Sequence, residues 1–321
     1  MTLAQLPAVL FPDVGTDRTI GVTDDVAALQ DLIVNVIFYG TPGGPWVLVD
    51  AGMPYTALPK IRLAAERRFG PGNRPQAIIL THGHFDHVGA LPMLADEWDV
   101  PIYAHPLEMP YLTGQSPYPP PDPTVGGGMM ARLSMLYPRG PYDFGRRMKE
   151  LPADGSVPGM QGWRWVHTPG HTPGHVSLFR DADATLIAGD AFVTTKQESA
   201  MAAMTQAVPL VHRPPAYYTP DWVSAYESVR RLLDLHPAVA ITGHGLPMRG
   251  AELEDGLRRL VDNFRQEMPR RGRYVFESAT FDEHGVVSVP PPVPDVFPKL
   301  VIGAAVAATV AALIATSRRD D

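Results

Sequence analysis

The chain has 321 residues, 45% of them hydrophobic, which is enough for one large domain or two smaller ones with a well-packed core. Its formal net charge of -7 offers no broad electrostatic attraction for nucleic acid. The absence of cysteine excludes disulfides and thiolate ligands, so any metal must be held by histidine and carboxylate side chains. The first residues carry neither a basic region nor a long apolar run, and we expect a cytoplasmic protein without a signal peptide.

Short apolar runs alternate with helical patterns in the first third of the chain. The predicted elements are strand 32–39, strand 46–50, helix 56–69, strand 77–80, helix 88–98 and strand 100–104. The strand 77–80 runs directly into a histidine-rich turn. Side chains at the ends of rigid strands are held more precisely than side chains on free loops, which favours a functional site at this turn.

Residues 106–159 are predicted to form an irregular insert. The proline-rich run 118–123 and the glycines 126–128 break regular structure, and one short helix is predicted at 129–137. An irregular segment next to a reactive turn can serve as a lid or substrate wall, or it can be a surface excursion. The aromatic and methionine content of the segment favours an apolar substrate wall.

Regular structure is predicted again after the insert. The pattern indicates strand 163–166, strand 176–179, strand 185–188, helix 221–235, strand 238–242 and helix 251–267. The helix 221–235 begins with Asp221, a favoured N-cap residue. Strands and helices followed by strands and helices again predict an α/β fold, a four-layer αββα sandwich of two sheets covered by helices on both sides.

The C-terminal part differs in composition from the rest. The expected domain is residues 1–289, followed by a proline-rich linker at 290–299 and an apolar helix or tail at 300–321. The apolar stretch 300–316 would reach about 25 Å as a helix, the short limit for a membrane span. Two interpretations remain open: a helix that packs on the domain or on a partner chain, and a membrane anchor.

The segment from Thr81 to His87 carries the clearest chemical signal, with the pattern H-x-H-x-D-H. Imidazole and carboxylate are ligands that zinc and similar metals prefer. His82 and His84, two residues apart, can point at one metal from an extended turn. Asp86 and His87 can then turn toward a second metal.

Three later sites offer further ligands of the same types. His167, His171 and His175 follow one another at a spacing of four in a turn whose prolines exclude a continuous helix. Not all three can face one point, and spacing alone does not choose among them. Asp190 and His244 each follow a predicted strand next to glycine.

In these motifs and in their order, the chain from about residue 32 to about residue 264 resembles the metallo-β-lactamase superfamily of binuclear metallohydrolases. Carried over residue by residue, the resemblance implies a first metal held by His82, His84 and His171 and a second metal held by Asp86, His87 and His244. It implies that Asp190 bridges both metals and that Asp50 buttresses the metal-binding turn without binding metal. We expect His175 to support the site without being a ligand.

The resemblance also implies a reaction. Two divalent ions, most commonly zinc with manganese or iron as alternatives, would share a hydroxide that attacks a small-molecule ester, lactone or thioester. Asp86 and Asp190 are the expected catalytic residues. Two alternatives remain: a phosphodiesterase of the same fold, and a persulfide dioxygenase with a single iron. A homo-oligomer is also left open.

The aspartate at the bridging position, Asp190, narrows the choice among the branches of the superfamily. Zinc β-lactamases generally lack a carboxylate at the position of Asp190, whereas lactonases and glyoxalase II thioesterases have one. Quorum-quenching lactonases typically carry a tyrosine three residues later, where this chain has Val193. The expected substrate contacts are Lys196 and Gln197, just after the bridging aspartate, and Tyr217 and Tyr218.

Overall fold

The computed structural model describes residues 19–205 and 208–294. Apart from residues 291–294, the described residues belong to one unit that ends at Pro290. The predicted linker at 290–299 therefore lies partly outside the described residues. The predicted helix or tail at 300–321 lies wholly outside them.

Seven strands form the first sheet, and they follow one another in chain order. They are β1 Thr19–Gly21, β2 Val26–Asp31, β3 Val34–Tyr39, β4 Val47–Val49, β5 Ile78–Ile79, β6 Ile102–Ala104 and β7 Met148–Glu150. The strands β1 to β4 pair antiparallel, and β4 to β7 pair parallel. Parallel strands end at one edge of a sheet, so the segments that follow β4, β5 and β6 lie side by side.

A second sheet of five strands has the order β12-β11-β10-β9-β8. Its strands are β8 Trp163–His167, β9 Val176–Arg180, β10 Thr185–Gly189, β11 Val239–Thr242 and β12 Met248–Arg249. The strands β9 and β10 pair antiparallel, and β10 pairs parallel with β11. A separate hairpin joins β13 Thr280–Asp282 to β14 Gly285–Ser288.

Eight α-helices lie in the described residues, and four of them are longer than six residues. They are α1 Ala57–Phe69, α2 Leu91–Trp98, α3 Met109–Leu112, α4 Met129–Leu133, α5 Ala200–Thr205, α6 Trp222–Leu233, α7 Gly250–Asp262 and α8 Phe264–Glu267. The predicted N-cap of α6 is confirmed, because the Asp221 carboxylate accepts hydrogen bonds from the backbone N–H groups of Val223 and Ser224.

Three buried clusters show how the layers are stacked. One joins the first sheet to α1 and α2, one joins the two sheets, and one joins the second sheet to α6 and α7. Neighbouring residues on a strand point to opposite faces. In β3, for example, Phe38 packs toward the helices and Ile37 packs toward the second sheet. The predicted four-layer αββα sandwich is thereby confirmed.

Two local predictions were wrong for identifiable reasons. The strand β2 was not predicted, because all six of its residues are buried and show no alternation, and its alanines, leucine and glutamine do not favour strands. The helix predicted at 251–267 is interrupted at Asn263, which has a non-helical φ of -115° and whose side-chain amide donates to the Arg259 carbonyl at 2.9 Å.

The expectation of membrane contact through an apolar C-terminal helix requires correction. Within residues 19–205 and 208–294, every helix is too short or too polar to cross a membrane. The stretch 300–316, on which that expectation depended, lies outside the described residues.

Candidate metal centre

The residues of the histidine-rich motifs lie at one edge of the two sheets. Asp50 follows β4, and the segment that begins with Thr81 and His82 follows β5. On the second sheet, His171 lies in the turn between β8 and β9, Asp190 follows β10 and His244 lies two residues after β11. A backbone hydrogen bond of 3.0 Å from Val176 to the Thr81 carbonyl joins the two sheets at this edge.

Three groups of buried side chains at this edge could each hold a metal ion, since the nitrogen and oxygen atoms within a group lie within 4.8 Å of one another. The groups are His82 with His84 and His171, His82 with His87 and Asp190, and Asp86 with His87 and His244. The structure therefore brings together all seven residues that the resemblance implied as ligands.

Asp190 lies beside members of both three-residue sets expected from the sequence. Its Oδ2 atom lies 3.3 Å from Nε2 of His171 and 3.1 Å from Nε2 of His244. Its Oδ1 atom lies 3.7 Å from Nε2 of His87. In the first set, Nδ1 of His84 lies 2.9 Å from Nε2 of His171. One carboxylate thus faces the ligand atoms of both sets.

The donor atoms fit a divalent metal. Nε2 of His82, Nε2 of His87 and Oδ1 of Asp190 are buried and have no hydrogen-bond partner among the described residues. Buried polar atoms without a partner are costly, and metal coordination is a common way to satisfy them. A donor set made only of imidazole and carboxylate groups suits zinc, manganese and iron.

Asp50 orients the first motif. Its carboxylate accepts hydrogen bonds from the Thr81 backbone N–H and hydroxyl, both at 2.8 Å, and lies 2.8 Å from Nδ1 of His87. With Nδ1 held in this way, Nε2 of His87 is directed at Asp190. Asp50 has a φ of 60°, a backbone conformation that is rare for residues other than glycine and is often found at functional sites.

His244 and His175 are oriented by hydrogen bonds as well. Nδ1 of His244 lies 2.6 Å from the Ile33 carbonyl, so Nε2 is left to face the cluster. Both ring nitrogens of His175 are used: Nδ1 lies 2.9 Å from the Thr168 hydroxyl, and Nε2 accepts from the Asp190 backbone N–H at 2.8 Å. His175 therefore has no free nitrogen for a metal and instead holds Asp190.

Close packing leaves no room for a side chain at Gly243. A Cβ atom there would lie 2.0 Å from Oδ1 of Asp190 and 2.7 Å from Cε1 of His87. The glycine before His244 is thus required by the approach of Asp190 and His87, and any larger residue at 243 would displace ligand atoms.

Burial and mutual repulsion keep most of the imidazoles neutral. Burial, followed by the neighbouring histidines, lowers the pKa of His82 and His84 well below 6.5. Burial likewise lowers the pKa of His171 to about 3. Burial also raises the pKa of Asp86, whereas for Asp190 the charges of His244 and His87 outweigh burial and lower the pKa. Neutral imidazoles keep the lone pairs that a metal needs.

The pKa of His244 is raised, because Asp190 and Asp86 together outweigh burial. The pKa of His87 is raised as well and leads to a prediction on pH. Burial lowers its pKa, but Asp190 and Asp50 outweigh burial and raise it to about 10. Without metal, Nε2 of His87 therefore carries a proton at neutral pH, and a metal must displace it. We expect zinc affinity to rise about tenfold per pH unit for each displaced proton until the pH reaches that pKa.

Calorimetric titration of zinc into the metal-depleted protein, in buffers of different ionisation enthalpy, measures this proton release. The prediction is contradicted if zinc binding at neutral pH releases no proton and its affinity does not change with pH.

Only some of the predicted substrate contacts lie near the histidine cluster. Tyr218 is brought to the cluster, where its ring stacks on His84 with centroids 4.3 Å apart, and Tyr217 packs beside Tyr218 at 5.3 Å. Gln197 is fully buried, with no hydrogen-bond partner for its amide in the described part of the chain. Lys196 is exposed and lines a different cavity of about 400 Å³.

A cavity of only about 10 Å³ lies directly against the cluster. It is lined by His84, Pro119, Pro120, His171, Tyr218, Pro220 and Tyr274. Residues of the irregular segment 106–159 thus contribute to its wall, as the sequence suggested. A larger cavity of about 870 Å³ lies next to α6 and α8 and contains no member of the cluster.

Sequence reasoning missed several residues around the cluster. Glu108 is fully buried and bonded to both histidine turns, and the ring of Tyr118 lies 4.7 Å from that of His84. Tyr274 closes the cavity from the C-terminal side and donates to the Pro120 carbonyl at 2.7 Å. The available signal for Glu108 was its position just after β6, whose C-terminal end lies beside the end of β5.

Comparison with known proteins agrees with this architecture. A family model described as the metallo-beta-lactamase superfamily matches residues 29–244. The probable metallo-hydrolase YflN of Bacillus subtilis (strain 168) is 48% identical over 239 residues, which cover 74% of this chain and 90% of that protein. The probable metallo-hydrolase YybB of the same organism is 29% identical over 198 residues, covering 62% of this chain and 74% of that protein.

A solved structure extends the likeness to the fold. MEM-A1, a subclass B3 metallo-β-lactamase isolated from a soil metagenome library, has 17% sequence identity and a TM-score of 0.52, covering 79% of this chain and 97% of that one. At this identity the likeness concerns the fold alone. Because the family model spans more than half of the chain and YflN is similar over most of its length, this chain belongs to the metallo-β-lactamase superfamily.

Proposed function

We propose that the chain is a binuclear metallohydrolase that cleaves small carboxylic esters, lactones or thioesters. The observation that carries the proposal is Asp190, whose carboxylate lies within 3.7 Å of a ligand nitrogen in each of the two three-residue sets. The printed names of YflN and YybB, both probable metallo-hydrolases, support the same class of reaction.

Each side chain has a proposed role. The first metal would be held by His82, His84 and His171, the second by Asp86, His87 and His244, and Asp190 would contact both. Two divalent ions, which we propose to be zinc because nitrogen ligands predominate, would supply Lewis acidity and would lower the pKa of water to near neutrality. Asp86 would also orient the attacking water or pass a proton to the leaving group.

Uncharged walls favour acyl substrates over the alternative phosphodiesters. In the part of the chain that the structure describes, neither lysine nor arginine lines the cavity at the cluster. A phosphodiester keeps a negative charge that such a site would have to neutralise with side chains. Quorum-quenching lactonases typically carry a tyrosine at the position of Val193. In this chain Val193 is buried and is paired through its backbone with His212. We therefore propose acyl substrates as a class rather than lactones alone.

Hydrolysis by the metal-reconstituted protein against one substrate panel tests this proposal. The panel contains a lactone, an aryl ester, a thioester, a β-lactam and an aryl phosphodiester, and metal content is measured on the same preparation. We expect about two zinc ions per chain and turnover of the acyl substrates only. Turnover of the phosphodiester alone would refute the substrate class, and a single bound iron without hydrolysis would favour the persulfide dioxygenase alternative.

Tyr218 is expected to limit the size of the substrate. Its ring covers His84 and lines the cavity of about 10 Å³. We expect Tyr218→Ala to lower the KM for bulky aryl esters relative to small ones, because removing the ring opens space beside His84. Tyr218→Phe is the matched control, since it keeps the ring and loses only the hydroxyl that donates to the Pro138 carbonyl at 3.3 Å.

Steady-state kinetics on an ester series of increasing size measures this change. Equal size preference in Tyr218→Ala and Tyr218→Phe would show that the ring does not restrict the site.

A further inference from the structure

Glu108 connects the two turns that carry the histidines. It is fully buried at the end of a single helical turn, Pro106–Glu108, that follows β6. Oε1 accepts hydrogen bonds from the Thr172 hydroxyl at 2.6 Å and from the Gly174 N–H at 2.9 Å. Oε2 accepts from the Gly83 N–H at 3.1 Å and from the Tyr118 hydroxyl.

The partners of this carboxylate are neighbours of the ligands. Gly83 lies between His82 and His84 on the turn after β5, and Thr172 follows His171 on the turn between β8 and β9. The two turns belong to different sheets, so their separation is not determined by any single strand pairing. The Glu108 carboxylate is bonded to both turns and, together with the backbone hydrogen bond from Val176 to the Thr81 carbonyl, joins the His82–His84 turn to the His171 turn.

The bonding pattern requires an oxygen at both terminal positions of the side chain. Each oxygen faces one backbone N–H, from Gly83 or from Gly174, which can only donate. In glutamine, the amide nitrogen would have to face one of these N–H groups, so one backbone bond to residue 108 is lost in either orientation, although the Gly83 N–H also donates to the Tyr118 hydroxyl oxygen at 3.0 Å. Glu108 and Gly174 also pack closely against each other, because a Cβ atom on Gly174 would lie 2.7 Å from the Glu108 backbone nitrogen.

With each carboxylate oxygen already accepting two hydrogen bonds, Glu108 is not placed to be a ligand itself. We propose that Glu108 is a positioning residue for the metal centre, which holds the His82–His84 turn at the distance from His171 that the first metal requires. The inference rests on the proposed binuclear centre and deepens it. A role of this kind affects metal affinity, whereas a role in folding alone affects only the stability of the metal-free chain.

Zinc affinity of Glu108→Gln compared with Glu198→Gln separates the two roles. Glu198 is a matched control, because its buried carboxylate accepts from Arg213 at 2.6 Å and from the Ala216 N–H at 2.8 Å, neither of which is on a ligand turn. Zinc is titrated into each metal-depleted full-length protein in competition with a chromophoric chelator, and thermal unfolding of the metal-free forms is recorded.

We expect Glu108→Gln to bind zinc about 10- to 100-fold more weakly than wild type, the range typical for residues that orient metal ligands. Glu198→Gln should bind zinc as wild type does even if its melting temperature falls. Thr172→Val, which removes one donor only, should show a smaller loss of affinity and provides a second variant should Glu108→Gln not fold.

Two outcomes would overturn the inference in different ways. Wild-type zinc affinity in Glu108→Gln and Thr172→Val, or an equal loss in Glu198→Gln, would refute the role of Glu108 while leaving the metal centre intact. A wild-type protein that binds no zinc would refute the metal centre and the role of Glu108 together.

Discussion

Asp190→Asn is expected to lower turnover by about a hundred- to a thousandfold, the range typical for loss of one preorganised electrostatic group at a reaction centre. An amide carries no net charge and has only one oxygen, so it cannot stabilise two cations from both of its terminal atoms. Far-UV circular dichroism should remain native, because the Asp190 backbone N–H still donates to His175. Turnover and metal content are measured on the same preparation.

Asp31→Asn provides the matched control, since Asp31 is equally buried and its carboxylate bonds to Lys60, Thr56 and Met53. We expect its turnover to remain near that of wild type. Near-native turnover in Asp190→Asn with a full complement of metal would exclude the proposed contact of Asp190 with both metals.

Asp50→Ala is expected to lower the free energy of unfolding of the metal-depleted protein by about 3 to 5 kcal/mol, the range for removing one partner from a buried charged network. Three groups would lose their acceptor: the Thr81 N–H, the Thr81 hydroxyl and Nδ1 of His87. Zinc affinity should also fall about tenfold or more, because His87 would no longer be held toward Asp190.

Urea denaturation and zinc titration of Asp50→Ala and Asp31→Ala distinguish the loss of stability from the loss of zinc affinity. Both variants remove a buried carboxylate and should be destabilised, but only Asp50→Ala should lose zinc affinity. The same zinc affinity in both variants would show that Asp50 serves stability alone.

The local sequence pattern was sufficient to predict an element whose conformation depends mainly on its own residues. The helix α1 was predicted within one residue, since its apolar spacing and the following Gly70 act over a few positions. The strand β2 was missed because it is buried on both faces and shows no alternation. The break at Asn263 was missed because the apolar spacing of the helix continues across it, from Leu260 to Phe264. The αββα layering followed from the order of elements and the alternation of buried residues along the strands.

The sequence by itself determined the chemistry of the site, because ligand type depends on residue identity and the spacing within the Thr81–His87 turn is local. It did not choose among His167, His171 and His175. The resemblance pointed to His171, and the tertiary structure supports it: His171 lies 2.9 Å from His84, a residue 87 positions away, while both nitrogens of His175 are already bonded and Nε2 of His167 lies 2.8 Å from the Pro173 carbonyl.

The structure alone also revealed Glu108 and the place of Tyr274 in the cavity wall, beside Tyr218, which the sequence had suggested as a substrate contact. These residues act through contacts between segments that are distant in the chain, and their identities carry no metal-binding signature. Residue type and local spacing thus decide what a site can bind, whereas the packing of the two sheets face to face decides which side chains reach it and which hold it in place.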